Sequence, residues 1–206
     1  MAFKFGPIPY LELEFNQLGN APVGNPTSVS DWNTFFDLPN YGTPFTKVRI
    51  IGNIIRLYGG ENITLKSQIF QSRPLKKISD SKIIIKANDN SFYGCTSLTS
   101  VSLFGLINAG NYCFYNCTSL TSISLPACIN ILYDLSFSSC TALTSISLPV
   151  CIALGSSVLN NNLFLGITGK TISLTIPASR MTCNGGNPDG DIQYLQANNT
   201  VTITTT

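Results

Sequence analysis

The sequence predicts a mainly β protein: a right-handed solenoid of about five 22–23-residue repeats paired through a parallel sheet, with cap segments at both ends and a short helix in the first cap. Three observations carry this reading. The stretch CTSLTSISLPACI beginning at Cys117 returns as CTALTSISLPVCI at Cys140 with two letters changed. Around it Phe92, Phe114 and Phe137 stand 22 and 23 residues apart, and Cys95, Cys117 and Cys140, Leu98, Leu120 and Leu143, and Leu103, Leu125 and Leu148 keep the same step. Inside each period Val101 and Leu103 alternate with Ser100 and Ser102, the two-residue rhythm of a short strand with one apolar face.

Residues 1–27 read as an N-terminal arm and linker. Phe3 and Phe5, then Leu11, Leu13 and Phe15, alternate with polar letters before the chain dissolves into NQLGNAPVGNPTS. Such a strand either packs on its own domain or adds to a partner's sheet. Residues 28–69 read as the N-terminal cap. In SVSDWNTFFDL, Ser30 is placed as N-cap and Asp31 in the first turn, with Trp32, Phe35 and Phe36 on one apolar face and Pro39 as the stop. FTKVRIIGNIIRLYGGENITL gives two or three strands punctuated by Gly52-Asn53 and Gly59-Gly60, the second pair as a turn.

Residues 70–178 read as the solenoid. Three units start at Phe92, Phe114 and Phe137; a degenerate copy starts at Phe70 with Leu75 and Ile78, and a stretched one at Phe164 with SLTIP at 173–177. Pro126 and Pro149 stop the strands, since proline cannot donate to a ladder. The pairs Cys128-Ile129 and Cys151-Ile152 are expected to turn the chain back toward the core. One such coil cannot bury its own apolar face, so stacking on neighbours at ~4.8 Å per strand is what stabilises it. Residues 179–206 read as the C-terminal cap: a turn around NPDGD, one helical turn at 192–196 and a strand at 201–203.

The order F-x-x-C-[TS]-x-L-x-x-[IV]-x-[LI]-P resembles the BspA-type (Treponema pallidum-type) leucine-rich repeat, found in surface adhesins of oral bacteria, in protist surface proteins and in bacteriophage proteins. The resemblance covers residues 92–152 well, extends partly to 70 and 178, and is absent before 45. Phe104-Gly105 departs from it where later units carry proline. It implies a leucine-rich repeat solenoid with adhesive or structural work. The block SDWNTFFDLPNYGTPFTKVRIIGNIIRLYGG is in turn similar to leaders of phage structural proteins from Bacteroidetes viruses.

Composition narrows the function further. Only 11% of the 206 residues are charged, against ~25% in ordinary domains, and between residues 91 and 178 only Asp134 and Lys170 are ionisable acids or bases of the Asp, Glu, Lys, Arg set. The net charge of +2, without a Lys/Arg run, offers no footprint for nucleic acid. MAFKFGPIPYLELEF lacks the layout of a secretory signal, and no run of ~18 apolar residues predicts membrane insertion. Histidine is absent, which removes Ser–His–Asp and Cys–His nucleophiles and the commonest metal ligand.

Seven cysteines, an odd number in a chain read as lacking a signal, argue against a disulfide framework. Stacked Cys95, Cys117 and Cys140 read as buried structural thiols. Asp189 and Asp191 in NPDGD make a plain turn rather than a calcium loop, which would need further oxygen ligands. No cofactor or metal is expected.

What remains is the outward face of the sheet: Ser100 and Ser102, Ser122 and Ser124, Ser145 and Ser147, flanked by Thr99, Thr121 and Thr144. These rows of uncharged hydroxyls are ordinary solvent-facing strand residues, or else a surface that meets a neutral glycan or another subunit. The expectation is a non-enzymatic virion component of a bacteriophage, a tail-fibre, tail-tip or decoration protein assembled in the host cytoplasm. Its partners would be other virion proteins or copies of itself, with a host surface glycan as a further contact. A cell-surface adhesin of a bacterium or protist is the competing reading.

Overall fold

A computed structural model of the chain describes residues 8–23, 26–131, 135–154 and 162–206. Phe3, Phe5 and Asp134 lie outside the described residues. The chain begins with β1 (Tyr10–Phe15), whose Leu11, Leu13 and Phe15 are buried while the residues between them are not. Helix α1 (Val29–Phe36) follows. Its N-cap is Ser28, not the expected Ser30: the Ser28 hydroxyl accepts from the Asp31 N–H at 3.1 Å, three residues on, as capping geometry requires. Trp32 and Phe36 are buried, and Phe35 and Phe36 pack on Phe70 at ring distances of 5.6 and 6.0 Å.

Strands β2 (Lys47–Ile51) and β3 (Ile54–Tyr58) form an antiparallel hairpin. Its two-residue turn is Gly52-Asn53, where Gly52 takes the positive φ of 60° that such a turn demands, and Gly59, at a φ of 85°, bends the chain after Tyr58. The repeats then run as β4 (Ile63–Leu65), β5 (Leu75–Asp80), β6 (Ile84–Ala87), β7 (Ser100–Leu103), β8 (Asn108–Ala109), β9 (Ser122–Ser124), β10 (Asn130–Ile131), β11 (Ser145–Ser147), β12 (Ala153–Leu154) and β13 (Thr171–Ile176). Helix α2 (Gly190–Asn198) and β14 (Thr200–Thr205) end the chain. The single helical turn expected at 192–196 is thus a nine-residue helix, held by the Asp189 N-cap and by burial of Ile192 and Leu195.

Two sheets result. The long one has the order β14-β13-β11-β9-β7-β5-β1-β3-β2, and the short one, β12-β10-β8-β6-β4, is parallel throughout. In the long sheet β5 to β14 are parallel, and β1 and β3 continue it with antiparallel pairings. β1 therefore sits inside the sheet, between β5 and β3. The arm expected within residues 1–27 is, over 10–15, a strand packed on its own domain, because Leu11, Leu13 and Phe15 find an apolar face there to bury against.

Between the sheets the Phe70, Phe92, Phe114, Phe137 and Phe164 rings stack at 5.4, 5.1, 5.4 and 5.6 Å with interplanar angles of 11° or less. One core runs the length of the molecule. A correction concerns Ile129 and Ile152, expected to turn into that core. They are 39% and 60% exposed, and their neighbours Cys128 and Cys151 are the residues that point inward. The reason is the short sheet: Asn130-Ile131 and Ala153-Leu154 are strands, so Ile131 and Leu154 occupy the inward positions.

Candidate functional site

The six serines lie where the alternation puts them, on the outer face of the long sheet. Ser100 pairs with Ser122 and Ser122 with Ser145, while Ser102 pairs with Ser124 and Ser124 with Ser147. Val101, Ile123 and Ile146 between them are buried. The rows are longer than the repeats. The first runs from Lys77 through the serines to Ser173 and Thr202, and the second from Ser79 to Thr175 and Thr204.

Thr99, Thr121 and Thr144 behave differently from the serines beside them. Their hydroxyls donate to the carbonyls of Lys76, Thr99 and Thr121 at 3.1, 3.0 and 3.2 Å, one repeat back each time. Their one O–H donor is spent on stacking. The serines make a single bond within their set, Ser122 Oγ to Ser100 Oγ at 3.4 Å, and keep the rest for whatever lies above the sheet.

On the N-terminal side the same face changes character. Arg56 pairs with Glu12 at 2.6 Å, and Lys76 and Lys77 both meet Glu14 at 2.9 and 3.3 Å. Tyr10 and Tyr58 lie beside these, with the Arg56 guanidinium 5.3 Å from the Tyr10 ring centroid. The hydrogen bond from Lys76 holds the Glu14 carboxyl below its ordinary range, and Glu12 raises Arg56 in the same way. One sheet face thus joins a charged, aromatic half to a neutral hydroxyl half.

The nucleophile candidates are occupied with structure. The thiols of Cys95, Cys117 and Cys140 donate to the carbonyls of Phe70, Phe92 and Phe114 at 2.8, 3.2 and 3.1 Å. Burial pushes the Cys95 thiol up to about 12, so no thiolate forms near neutrality. Cys128 and Cys151 are buried neighbours whose thiols bond to their own strand carbonyls, of Asn130 and Ala153. All seven cysteines are free.

In NPDGD, Asp189 caps α2 and meets Arg180 at 3.3 Å, and Asp191 accepts from the Leu163 N–H at 2.8 Å. The two acids tie the C-terminal helix to the last repeat. Among the described residues no group of three side chains could hold a metal ion, and no helix is long and apolar enough to cross a membrane.

Two surface features escaped the reading of the sequence. Ile107, Ile129 and Ile152 lie one above the next, each N–H donating to the isoleucine one repeat earlier, from Ile107 to Ile85, Ile129 to Ile107 and Ile152 to Ile129, and all three stay exposed. On the short sheet Lys86, Asn108 and Asn130 form a polar row. Both recur at the 22–23-residue step, so the period itself was the available signal.

A parallel-sheet repeat solenoid whose polar side chains either close the stack or stand in uncharged rows defines a class: a repeat protein that works by its surface, in protein–protein binding or in structure. The sequence profile described as BspA type Leucine rich repeat region (6 copies) matches residues 63–182, more than half of the chain. The chain belongs to that family. The match begins seven residues before Phe70, at the start of strand β4, and its six copies exceed the five units expected from the sequence, of which the one at Phe70 is degenerate. No curated protein and no solved structure matches the chain.

Proposed function

We propose that this protein is a non-enzymatic structural subunit of a bacteriophage virion, of the tail-fibre, tail-tip or decoration kind, that engages neighbouring subunits through its solenoid. One observation carries the reading. The stretch from residue 91 to 178 has two charged side chains by sequence, yet it holds Phe104, Ile107, Tyr112, Ile129, Val150, Ile152 and Leu165, seven of the nine large apolar residues exposed among the described residues. A surface both neutral and apolar associates with itself and its surroundings unless it is covered. In a symmetric assembly it is covered by design.

The test is direct. The full chain is expected to self-associate or to co-purify with particles, and light scattering with negative-stain imaging reads this out. Ile129→Lys with Ile152→Lys is expected to dissolve the assembly while leaving the circular dichroism of the folded chain unchanged, since both side chains already reach the surface. A chain that is strictly monomeric and absent from any particle would overturn the proposal. The family also supports an adhesin on a bacterial or protist surface, and genomic neighbours encoding tail or capsid proteins separate the two. Ser122, Ser124, Ser145 and Ser147 all replaced by Glu would abolish subunit or receptor contact if the hydroxyl rows take part in it.

A further inference from the structure

The short sheet carries a recess that the stacking of repeats does not require. It encloses about 260 Å³ and is lined by Ser67, Lys86, Asn88, Asp89, Asn108 and Gly110. Lys86 and Asn108 are adjacent in register, and Asn130 Nδ2 donates to Asn108 Oδ1 at 2.8 Å. That bond takes the Asn108 acceptor and leaves its N–H groups for another partner. Among the described residues Lys86 lies in no ion pair, and the side chains of Asn88 and Ser67 make no hydrogen bond.

Asp89, by contrast, is held in place. Its Oδ1 accepts from the Asn111 backbone N–H at 2.8 Å and its Oδ2 from Asn111 Nδ2 at 3.4 Å. Gly110 makes room for it: a Cβ at that position would stand 2.5 Å from Asp89 Oδ1. The recess is thus built around a carboxylate whose position is set before any ligand arrives, which lowers the ordering cost of binding.

The inventory selects among ligand classes. An inorganic dianion would gain Lys86 but face Asp89 at close quarters. A flat aromatic ligand would find no aromatic wall among the lining residues. A ring bearing adjacent hydroxyls fits, because each hydroxyl donates and accepts, matching a carboxylate that only accepts, an ammonium that only donates and carboxamides that do both. The volume lies just under the ~300–1,000 Å³ of drug-sized sites, which suits one ring rather than a chain of them.

We propose that the recess formed by Lys86, Asn88, Asp89 and Asn108 on the short sheet is a binding site for one sugar residue with vicinal hydroxyls. It is separate from the serine rows and stands whether or not the protein is part of a virion.

Saturation-transfer NMR on the full chain tests it, with the methyl glycosides of glucose, galactose, mannose and N-acetylglucosamine and methyl glucuronide as probes. At least one probe is expected to receive saturation and to shift the backbone amides of Asn88, Asn108 and Gly110 in the unmodified protein. Lys86→Ala and Asn88→Ala, both surface changes, are each expected to weaken it about tenfold, the loss of roughly one charged or neutral hydrogen bond. The four-serine Glu variant is expected to leave it unchanged. No transfer to any probe, equal binding by both alanine variants, amide shifts confined to the serine rows, or displacement by sulfate in place of sugar would each overturn the proposal.

Discussion

At the scale of single residues, each repeated letter has a distinct physical task. The phenylalanines form a continuous buried stack with centroid spacings of 5.1 to 5.6 Å, so each ring contacts the one before and the one after. Phe114→Ala would open a cavity with two phenylalanine walls, and the expected loss is ~3–5 kcal/mol, measured as a shift in the urea midpoint. The cysteines fill small gaps beside those rings and return a weak hydrogen bond to the preceding turn, which explains a thiol there without redox chemistry. Among the acids Asp80 serves the stack of repeats, while Asp189 and Asp191, buried as well, serve the C-terminal helix. Asp80 is buried, and it accepts from the N–H groups of Ile84 and Phe104 at 2.7 Å each, tying one repeat to the next. Burial pushes its carboxyl above the ordinary value of 3.8 in spite of those donors. The folded state therefore holds this proton more tightly than the unfolded chain does, and its contribution falls as pH rises through the window from 3.8 to the raised value. Comparing Asp80→Asn with the parent chain in urea titrations from about pH 3 to about pH 7 should show the parent's advantage shrinking as pH rises. An advantage that grows would contradict the assignment.

At the scale of elements, hydrogen-bond parity decides which changes a strand tolerates. In β14, Thr200 donates to Lys170 and Thr206 to Ile176 across the parallel ladder with β13. Alternate residues share a side, so the Thr202 N–H points into the ladder and the Ile203 N–H points to the open edge. Thr202→Pro should cost ~1–3 kcal/mol through the lost bond and its unpaired acceptor, whereas Ile203→Pro should cost clearly less. Thermal midpoints of the two variants check this, and equal losses would mean that the ladder is wrongly registered. The corners between strands obey a second local rule. The residue two after each stacked phenylalanine is Ser72, Gly94, Asn116, Ser139 or Gly166, and all five take positive φ, from 54° to 88°. Glycine and asparagine are the residues that accept this backbone at least cost, so the third letter of F-x-x-C is under backbone constraint although it changes from repeat to repeat.

At the scale of the whole molecule, stability comes from repetition and not from charge. The four ion pairs among the described residues involve Glu12, Glu14, Arg56, Lys76, Lys77, Arg180 and Asp189, all outside the span from 91 to 178. The three pairs on the long sheet are partly exposed and contribute ~0–1 kcal/mol each, whereas Arg180–Asp189 is buried and little screened by salt. Raising sodium chloride from about 0.05 M to about 0.5 M, enough to shorten screening well below ~10 Å, should therefore move the urea midpoint little. A large drop in stability would show that the charged N-terminal half of the sheet holds the solenoid together. That same scarcity of charge leaves the long sheet's neutral half and the isoleucine ladder uncharged, and these are the surfaces that the proposed assembly would cover.

The period, the inward letters Phe, Leu, Val and Cys, and the strand at Ser100–Leu103 were all legible in the sequence, because identical coils in identical stacks must bury identical positions. So were the six outward serines, which follow from two-residue alternation alone. The tertiary structure decided what alternation cannot: that the threonines spend their hydroxyls on the coil before, that Ile129 and Ile152 stand outside, and that Lys86 and Asn108 frame a recess with Asp89. It also decided that β1 enters the sheet, where the Tyr10 N–H reaches the Ser81 hydroxyl at 2.6 Å across 71 residues of chain. Spacing along a chain fixes which way a side chain faces. Which partner it finds depends on residues a full repeat or more away, and only folding brings those together.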